Sequence, residues 1–213
     1  RIGRFLPKYG LNDANHTIVT QRDIWRDEGS ETYNTEVAYL GDKYDLFITA
    51  MAGRPDDPTI DGEKGVVIST SYFLRDRHKI GASAMHGTTL AVNRDLVGSY
   101  YIISLSKDIY WKGEVDYQWL RGNTSDIPSE TKGFVSYQQF NYEFLQGFHV
   151  YLVHQLSYLD IGSVQSRTDS YGTGVQLYPR PHFEFAGEIR RERALASADV
   201  YYDTGWVLFH YYL

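Results

Sequence analysis

Tyr110-Trp111-Lys112-Gly113-Glu114-Val115-Asp116-Tyr117-Gln118-Trp119-Leu120 alternates at every step from Trp111 to Trp119. Trp111, Gly113, Val115, Tyr117 and Trp119 fall on one parity, and Lys112, Glu114, Asp116 and Gln118 on the other. Successive side chains of a strand point to opposite faces, so this stretch reads as a strand with one aromatic, apolar face and one charged face. The pattern repeats downstream. Phe183, Phe185, Gly187 and Ile189 alternate with Glu184, Ala186, Glu188 and Arg190, and Phe148, Val150, Leu152, Leu156 and Tyr158 share a parity that only His154 interrupts.

Extending this reading predicts about twelve strands, at residues 1–6, 32–40, 44–54, 65–74, 80–87, 96–106, 110–121, 134–145, 148–159, 170–178, 183–193 and 200–213. Most are about ten residues long, the length a tilted strand needs to cross a bilayer and about twice that of an ordinary sandwich strand. The predicted connections alternate in length. Short ones contain Gly41-Asp42-Lys43, Arg75-Asp76-Arg77-His78, Lys107-Asp108-Ile109, Gln146-Gly147 and Pro179-Arg180-Pro181, and longer ones cover 7–31, 55–64, 88–95, 122–133, 160–169 and 194–199. Tight turns at one end and longer loops at the other are the asymmetry of an up-and-down barrel of the bacterial outer membrane, with the tight turns periplasmic. The expectation is therefore an all-β, transmembrane antiparallel barrel, forming one domain over 1–213. The alternative for the same pattern is a soluble antiparallel barrel with its apolar face inside.

Composition agrees with a barrel. The chain of 213 residues holds nineteen Tyr, ten Phe, four Trp and nineteen Gly, with no Cys, so disulfides and thiolate metal sites are excluded. Mean hydropathy is −0.42 and no apolar run is long enough for a spanning helix. A formal charge of −6 argues against nucleic acid as a partner. The chain opens within a strand-like stretch, Arg1-Ile2-Gly3-Arg4-Phe5-Leu6, and a processed or incomplete N-terminus is expected. Tyr33, Tyr44, Tyr72, Trp111, Trp119, Tyr158, Tyr171 and Phe183 lie near predicted strand ends, as interfacial girdles do.

Parity then divides the charged from the apolar side chains. Glu36, Asp45, Lys112, Glu114, Asp116, Glu143, Glu184, Glu188, Arg190 and Glu192 are expected to line the lumen, and Trp111, Val115, Tyr117, Trp119, Phe183, Phe185, Val207, Phe209 and Tyr211 to face lipid. Carboxylates predominate in the first set, which would favour cations in a confined pore; paired with Lys112 and Arg190, they would merely hydrate the interior. Residues 12–30, with Arg22, Asp23, Arg26, Asp27 and Glu28 around Trp25, form the longest connection. It can enter the barrel as a constriction, contact a partner, or remain surface coil.

Candidate chemistry is thin. His149 and His154 are five apart and point to opposite faces of a strand; His154 and Ser157 also differ in parity, and His86 near Ser83 has no orienting group or oxyanion motif. Arg54–Glu63 is acidic enough for a calcium loop but lacks the regular oxygen spacing. No catalytic residue, metal or cofactor is expected.

Gly3-Arg4-Phe5-Leu6-Pro7-Lys8-Tyr9-Gly10-Leu11, followed by His16-Thr17 and Gln21-Arg22-Asp23, resembles a segment of porin-like barrels related to phosphate-selective porins. It also resembles the barrel partners of multihaem cytochromes. The strand from Gly205 to Leu213, with Val207, Phe209, Tyr211 and Leu213 alternating, resembles the C-terminal recognition strand of outer-membrane proteins, which usually closes on Phe or Trp. The resemblance implies a larger barrel of sixteen or more strands, outer-membrane lipid as surroundings and a homo-oligomer. It implies passive diffusion of small hydrophilic solutes or ions or, alternatively, a sheath around a multihaem c-type cytochrome in an electron conduit. Phosphate-selective porins line their passage with Arg and Lys; the acidic parity here departs from that.

Overall fold

The computed structural model describes residues 1–213 except 12, 14, 16, 28, 58–61, 76, 123–129, 181, 196–199 and 212–213. Twelve strands form one sheet: β1 (Ile2–Phe5), β2 (Thr32–Leu40), β3 (Tyr44–Ala52), β4 (Lys64–Leu74), β5 (His78–Thr88), β6 (Val92–Ser104), β7 (Ile109–Gly122), β8 (Thr131–Leu145), β9 (Phe148–Tyr158), β10 (Arg167–Arg180), β11 (Phe183–Ala194) and β12 (Val200–Tyr211). Every strand pairs antiparallel with its neighbour in sequence, from β1 to β12. Among the described residues no ladder joins β12 to β1. Among the same residues no helix is long and apolar enough to cross a membrane, and the α-helix found, α1 (Val19–Arg22), is a single turn.

Strand existence follows the parity of the sequence, whereas several boundaries do not. β6 begins at Val92 rather than 96, because Asn93, Arg94 and Asp95 pair with Thr88, Gly87 and His86 of β5 and carry the ladder past the apolar alternation. The expected long connection 88–95 is therefore a tight turn at 89–91, in which the Thr89 hydroxyl accepts from the amides of Ala91 and Val92. β10 likewise starts at Arg167, its first residues held against Tyr158, Ser157 and Leu156 of β9. β1 ends at Phe5, where the chain leaves the sheet.

The two faces differ as parity requires. On β7 the even positions Glu114, Asp116 and Gln118 are buried while Trp111 is exposed on the opposite face. What buries the even face is the chain itself. The described residues of the segment 6–31, between β1 and β2, fold over the inner face of the sheet, so Tyr9, Ile18, Val19, Thr20 and Ile24 are almost wholly shielded. Tyr9, Val19 and Ile24 pack with Met51, Val67, Met85, Leu96 and Val135 of β3, β4, β5, β6 and β8. Ile18 and Leu11 pack with Tyr137, Tyr151 and Val153 of β8 and β9. The inner face is thus not uniformly polar, a departure from the expected hydrophilic lumen. Its apolar patch exists to receive this segment, and burial of such side chains is favourable by about 25 cal/mol per Å².

Candidate functional site

The inner face and the segment folded against it form the site. Proline removes a backbone donor and restricts the residue before it, so Leu6-Pro7 ends β1 and turns the chain inward. Gly10 then lies in the left-handed region (φ +59°), and a Cβ there would fall 1.7 Å from Glu114 Oε1. Glycine is required both for the turn and for the close approach. On the facing wall Gly98 leaves the matching space, since a Cβ there would meet Asp116 Oδ1 at 1.8 Å and the Tyr9 hydroxyl at 2.8 Å.

Polar contacts fix the segment in register. The Tyr9 hydroxyl donates to Asp116 Oδ1 (2.9 Å), the Leu11 amide to Glu114 Oε2 (3.0 Å) and the Gly10 amide to Ser83 Oγ (3.0 Å). Further along, the Val19 amide donates to Gln155 Oε1 (2.8 Å), and Arg190 reaches the Thr17 hydroxyl (2.7 Å) while pairing with Glu188 (2.7 Å). Lys112 pairs with Asp13 of the segment. Arg94, nearly inaccessible, forks onto the Glu63 carboxylate and also donates to the Ile24 carbonyl. Arg26 lies 4.1 Å from the centre of the Tyr9 ring and donates to the Tyr9 carbonyl (3.1 Å).

These surroundings alter the segment's own titrations. Burial, followed by the negative charge of Asp116, pushes the Tyr9 phenol well above its ordinary range, so it remains a donor. Burial lowers Lys8, and the positive charges of Lys79 and Arg26 act in the same direction. Burial also lowers Arg26, against the opposing pull of Glu114, Tyr9 and Asp116.

The ten charged residues singled out by parity all lie on this inner face, in three groups. Glu114, Asp116, Lys112 and Arg190 hold the segment, as described. Glu36 accepts from Thr49 (2.9 Å) and pairs with Arg1 (3.1 Å), Asp45 accepts from Ser71 (2.6 Å), and Glu143 accepts from the Gly147 amide (2.7 Å). Along the last two strands Glu184 accepts from Gln176 (2.5 Å), Glu188 pairs with Arg190, and Glu192 accepts from Tyr202 (3.2 Å) and Thr204 (3.0 Å). Trp111, Val115, Tyr117, Trp119, Phe183, Phe185, Val207, Phe209 and Tyr211 lie on the opposite face; there Tyr117 packs on Trp119 and Phe183 on Phe209 and Tyr211. Leu213, the last residue of the C-terminal resemblance, lies outside the described residues.

Sequence reasoning missed Arg94, Glu63 and the inner apolar patch. Its signal was a break in alternation, Val66-Val67-Ile68, Leu96-Val97 and Phe134-Val135, where both faces of a strand carry apolar residues. The segment covers the β3–β8 side, and a cavity of about 260 Å³ remains between it and the β8–β12 wall. Its lining includes Asp13 and Thr17 of the segment with Lys112 of β7 and Tyr151, Glu184 and Trp206 of that wall.

The His and Ser side chains weighed in the sequence do not come together among the described residues. His86 sits on the outer face against Asp95 (2.6 Å), whereas Ser83 is on the inner face donating to Ser69 (2.9 Å). His154 is outside against Asp169 (2.9 Å) and His149 inside near Glu143 (3.9 Å). Among the described residues no group of three metal-ligating side chains converges. Of the acidic stretch 54–63, residues 58–61 lie outside the described residues, and Glu63 is taken by Arg94.

No protein-family model and no curated protein sequence matches the chain. Solved structures do. The chain is similar to the outer membrane channel DcaP of Acinetobacter baumannii, with a TM-score of 0.61 and 12% identity, over 85% of this chain and 62% of that one. It is similar to the trimer form of OmpT, an outer membrane protein of Vibrio cholerae, with a TM-score of 0.74 and 10% identity, over 100% of this chain and 76% of that one. The anion-selective porin from Comamonas acidovorans matches with a TM-score of 0.63 and 10% identity, over 84% of this chain and 57% of that one. The fold is that of the transmembrane, porin-like β-barrels of bacterial outer membranes.

Proposed function

We propose that this porin-like barrel spans the bacterial outer membrane as a passive, non-catalytic channel for small hydrophilic solutes or ions, narrowed by its own residues 6–31. The observation that carries the reading is where that segment sits. It is anchored by hydrogen bonds to β5, β6, β7, β9 and β11 and by the Lys112–Asp13 ion pair, and the cavity left beside it is lined by Asp13, Thr17, Lys112 and Glu184 together with the apolar Ala186, Trp206, Val207 and Leu208. A segment held this firmly narrows a passage without moving, and ions crossing it pass fixed charges at short range.

Three carboxylates, Glu184, Glu188 and Glu192, lie on the inner face of β11, with Arg190 the single cation between them. This arrangement favours cations over anions. Trp111, Tyr117, Trp119, Phe183, Phe209 and the other outward aromatics take the lipid contact, the tight turns at the Gly147 end of the sheet lie in the periplasm with the turn at 89–91 at the opposite end, further strands complete the barrel, and the barrel forms a homo-oligomer. The cytochrome sheath is the weaker reading, because the chain's own segment occupies the inner face where a partner would lie. Planar-bilayer recordings of the purified protein test this directly. Open steps with a cation-biased reversal potential and no haem absorbance support the channel; electrical silence with a stoichiometric haem spectrum supports the sheath instead.

A further inference from the structure

The outer face of β9–β12 changes character along its length. Reading across the sheet, one row is His154, Tyr171, Arg191 and Asp203, and the row beyond it toward the long connections is Leu156, Asp169, Arg193 and Tyr201. Arg167 adds a third guanidinium at the strand end, 2.9 Å from Asp169 and 5.3 Å from the Tyr158 ring. Arg191 forks onto Asp203 at 2.8 and 3.0 Å, in the open. In the opposite direction the next rows are Leu152, Thr173, Ile189 and Gly205, then Val150, Val175, Gly187 and Val207, then Phe148, Leu177, Phe185 and Phe209. These carry no charge, and the next cation on this face is Arg180 beside the turn.

Gly187 and Gly205 are diagonal neighbours, and their missing side chains leave shallow depressions lined by Thr173, Val175, Ile189 and Val207, directly below Arg191. Neither glycine is required by its backbone. A Cβ would meet nothing nearer than 3.5 Å at Gly187 and 3.4 Å at Gly205, ordinary contact distances. The depression is therefore a feature of the lipid-facing surface and not a by-product of strand geometry.

An Arg is strongly disfavoured at the bilayer midplane and tolerated at the interface, so rows bearing three guanidiniums belong in a headgroup layer. Three Arg against two Asp leave the patch net positive, and guanidinium is the side chain best matched to phosphate. We infer that this face binds a phosphorylated glycolipid of the leaflet that meets the long connections. Its phosphate lies on Arg191, Arg193 and Arg167, and an acyl chain lies in the groove over Gly205 and Gly187. This rests on the outer-membrane orientation proposed above.

The test is native mass spectrometry of the delipidated, detergent-folded full chain, titrated separately with a bisphosphorylated acyl-glucosamine disaccharide, the same lipid without phosphates, phosphatidylglycerol and inorganic phosphate. The bisphosphorylated lipid is expected to be retained in preference to the others, and Arg191→Gln/Arg193→Gln to weaken its binding by roughly tenfold or more. Gly205→Leu is expected to weaken it with the arginines intact, and heat-modifiable gel mobility confirms that each variant is folded. Equal retention of the dephosphorylated lipid, preference for phosphatidylglycerol, or indifference to both variants overturns the site. So does self-association abolished by Gly205→Leu and independent of lipid, which makes the face a contact between copies. A folded protein that conducts but retains no lipid refutes this site and leaves the channel reading standing.

Discussion

Removing one oxygen atom, in Tyr9→Phe, tests how the segment is held on the inner face. The Tyr9 hydroxyl is the donor to Asp116 Oδ1 at 2.9 Å, both groups are buried, and the other carboxylate oxygen of Asp116 has no hydrogen-bond partner among the described residues. The substitution keeps the ring among Met51, Val67, Met85 and Leu96, so its effect is that of the hydrogen bond. A hydrogen bond contributes about 0.5–1.5 kcal/mol net, and leaving its buried partner at Asp116 without a donor costs about 1–3 kcal/mol. Seated and released states of the segment should therefore shift by roughly tenfold to a hundredfold toward release, at about 1.4 kcal/mol per factor of ten.

The chain has no cysteine, so a single Thr20→Cys provides a unique thiol at a position with 0% exposure. Maleimide labelling then reports how often the segment opens. The labelling rate should rise by the stated factor when Tyr9→Phe is added. Gly98→Ala, whose Cβ would intrude on the same bond, should raise it too, and the two together should fall short of the product of their separate effects. An unchanged rate in Tyr9→Phe, or full multiplicativity in the double variant, would refute the reasoning.

Other consequences follow from the same contacts. Arg94→Met leaves the Glu63 carboxylate and the Ile24 carbonyl without their donor in a nearly inaccessible place, and should lower stability by about 3–5 kcal/mol in urea unfolding from liposomes. Val115→Arg, on the outer face of β7, should cost about 2–4 kcal/mol of the same stability; normal assembly of Val115→Arg alongside failure of Glu114→Leu would reverse the assignment of faces. Burial and the neighbouring cations hold Lys8 below its ordinary value, so in the window between the lowered and the ordinary lysine value the seated form has lost a proton that the released form keeps. Seating should strengthen as pH rises through that window, and the inner face loses a positive charge. The reversal potential should accordingly become more cation-biased with pH, by an increment absent in Lys8→Met.

Strand after strand was legible because period two records which side chains share a face, and in the Tyr110–Leu120 stretch, which maps onto β7, Glu114, Asp116 and Gln118 are buried while Trp111 on the other parity is exposed. Ladder ends were less legible: at Arg94 and Asp95 pairing is sustained by charged partners, and hydrophobic alternation does not see those. The site was legible only in half. Glu114 and Asp116 stand out by parity, but their partners Leu11 and Tyr9 lie about a hundred residues away, and no local pattern links them. The longest connection could be marked as a candidate constriction; its seat is written in Gly10, Gly98 and the paired apolar positions of β4, β6 and β8, each ambiguous by itself.

Thr17 offers the most direct measurement of the central claim, that residues 6–31 lie inside a conducting barrel. Its hydroxyl accepts from Arg190 and it borders the cavity beside the β8–β12 wall. In the otherwise cysteine-free chain, single-channel current through Thr17→Cys should fall in one discrete step per channel when a bulky cationic thiol reagent reacts. Complete labelling with no change in current would place the segment outside the conducting path and contradict the account.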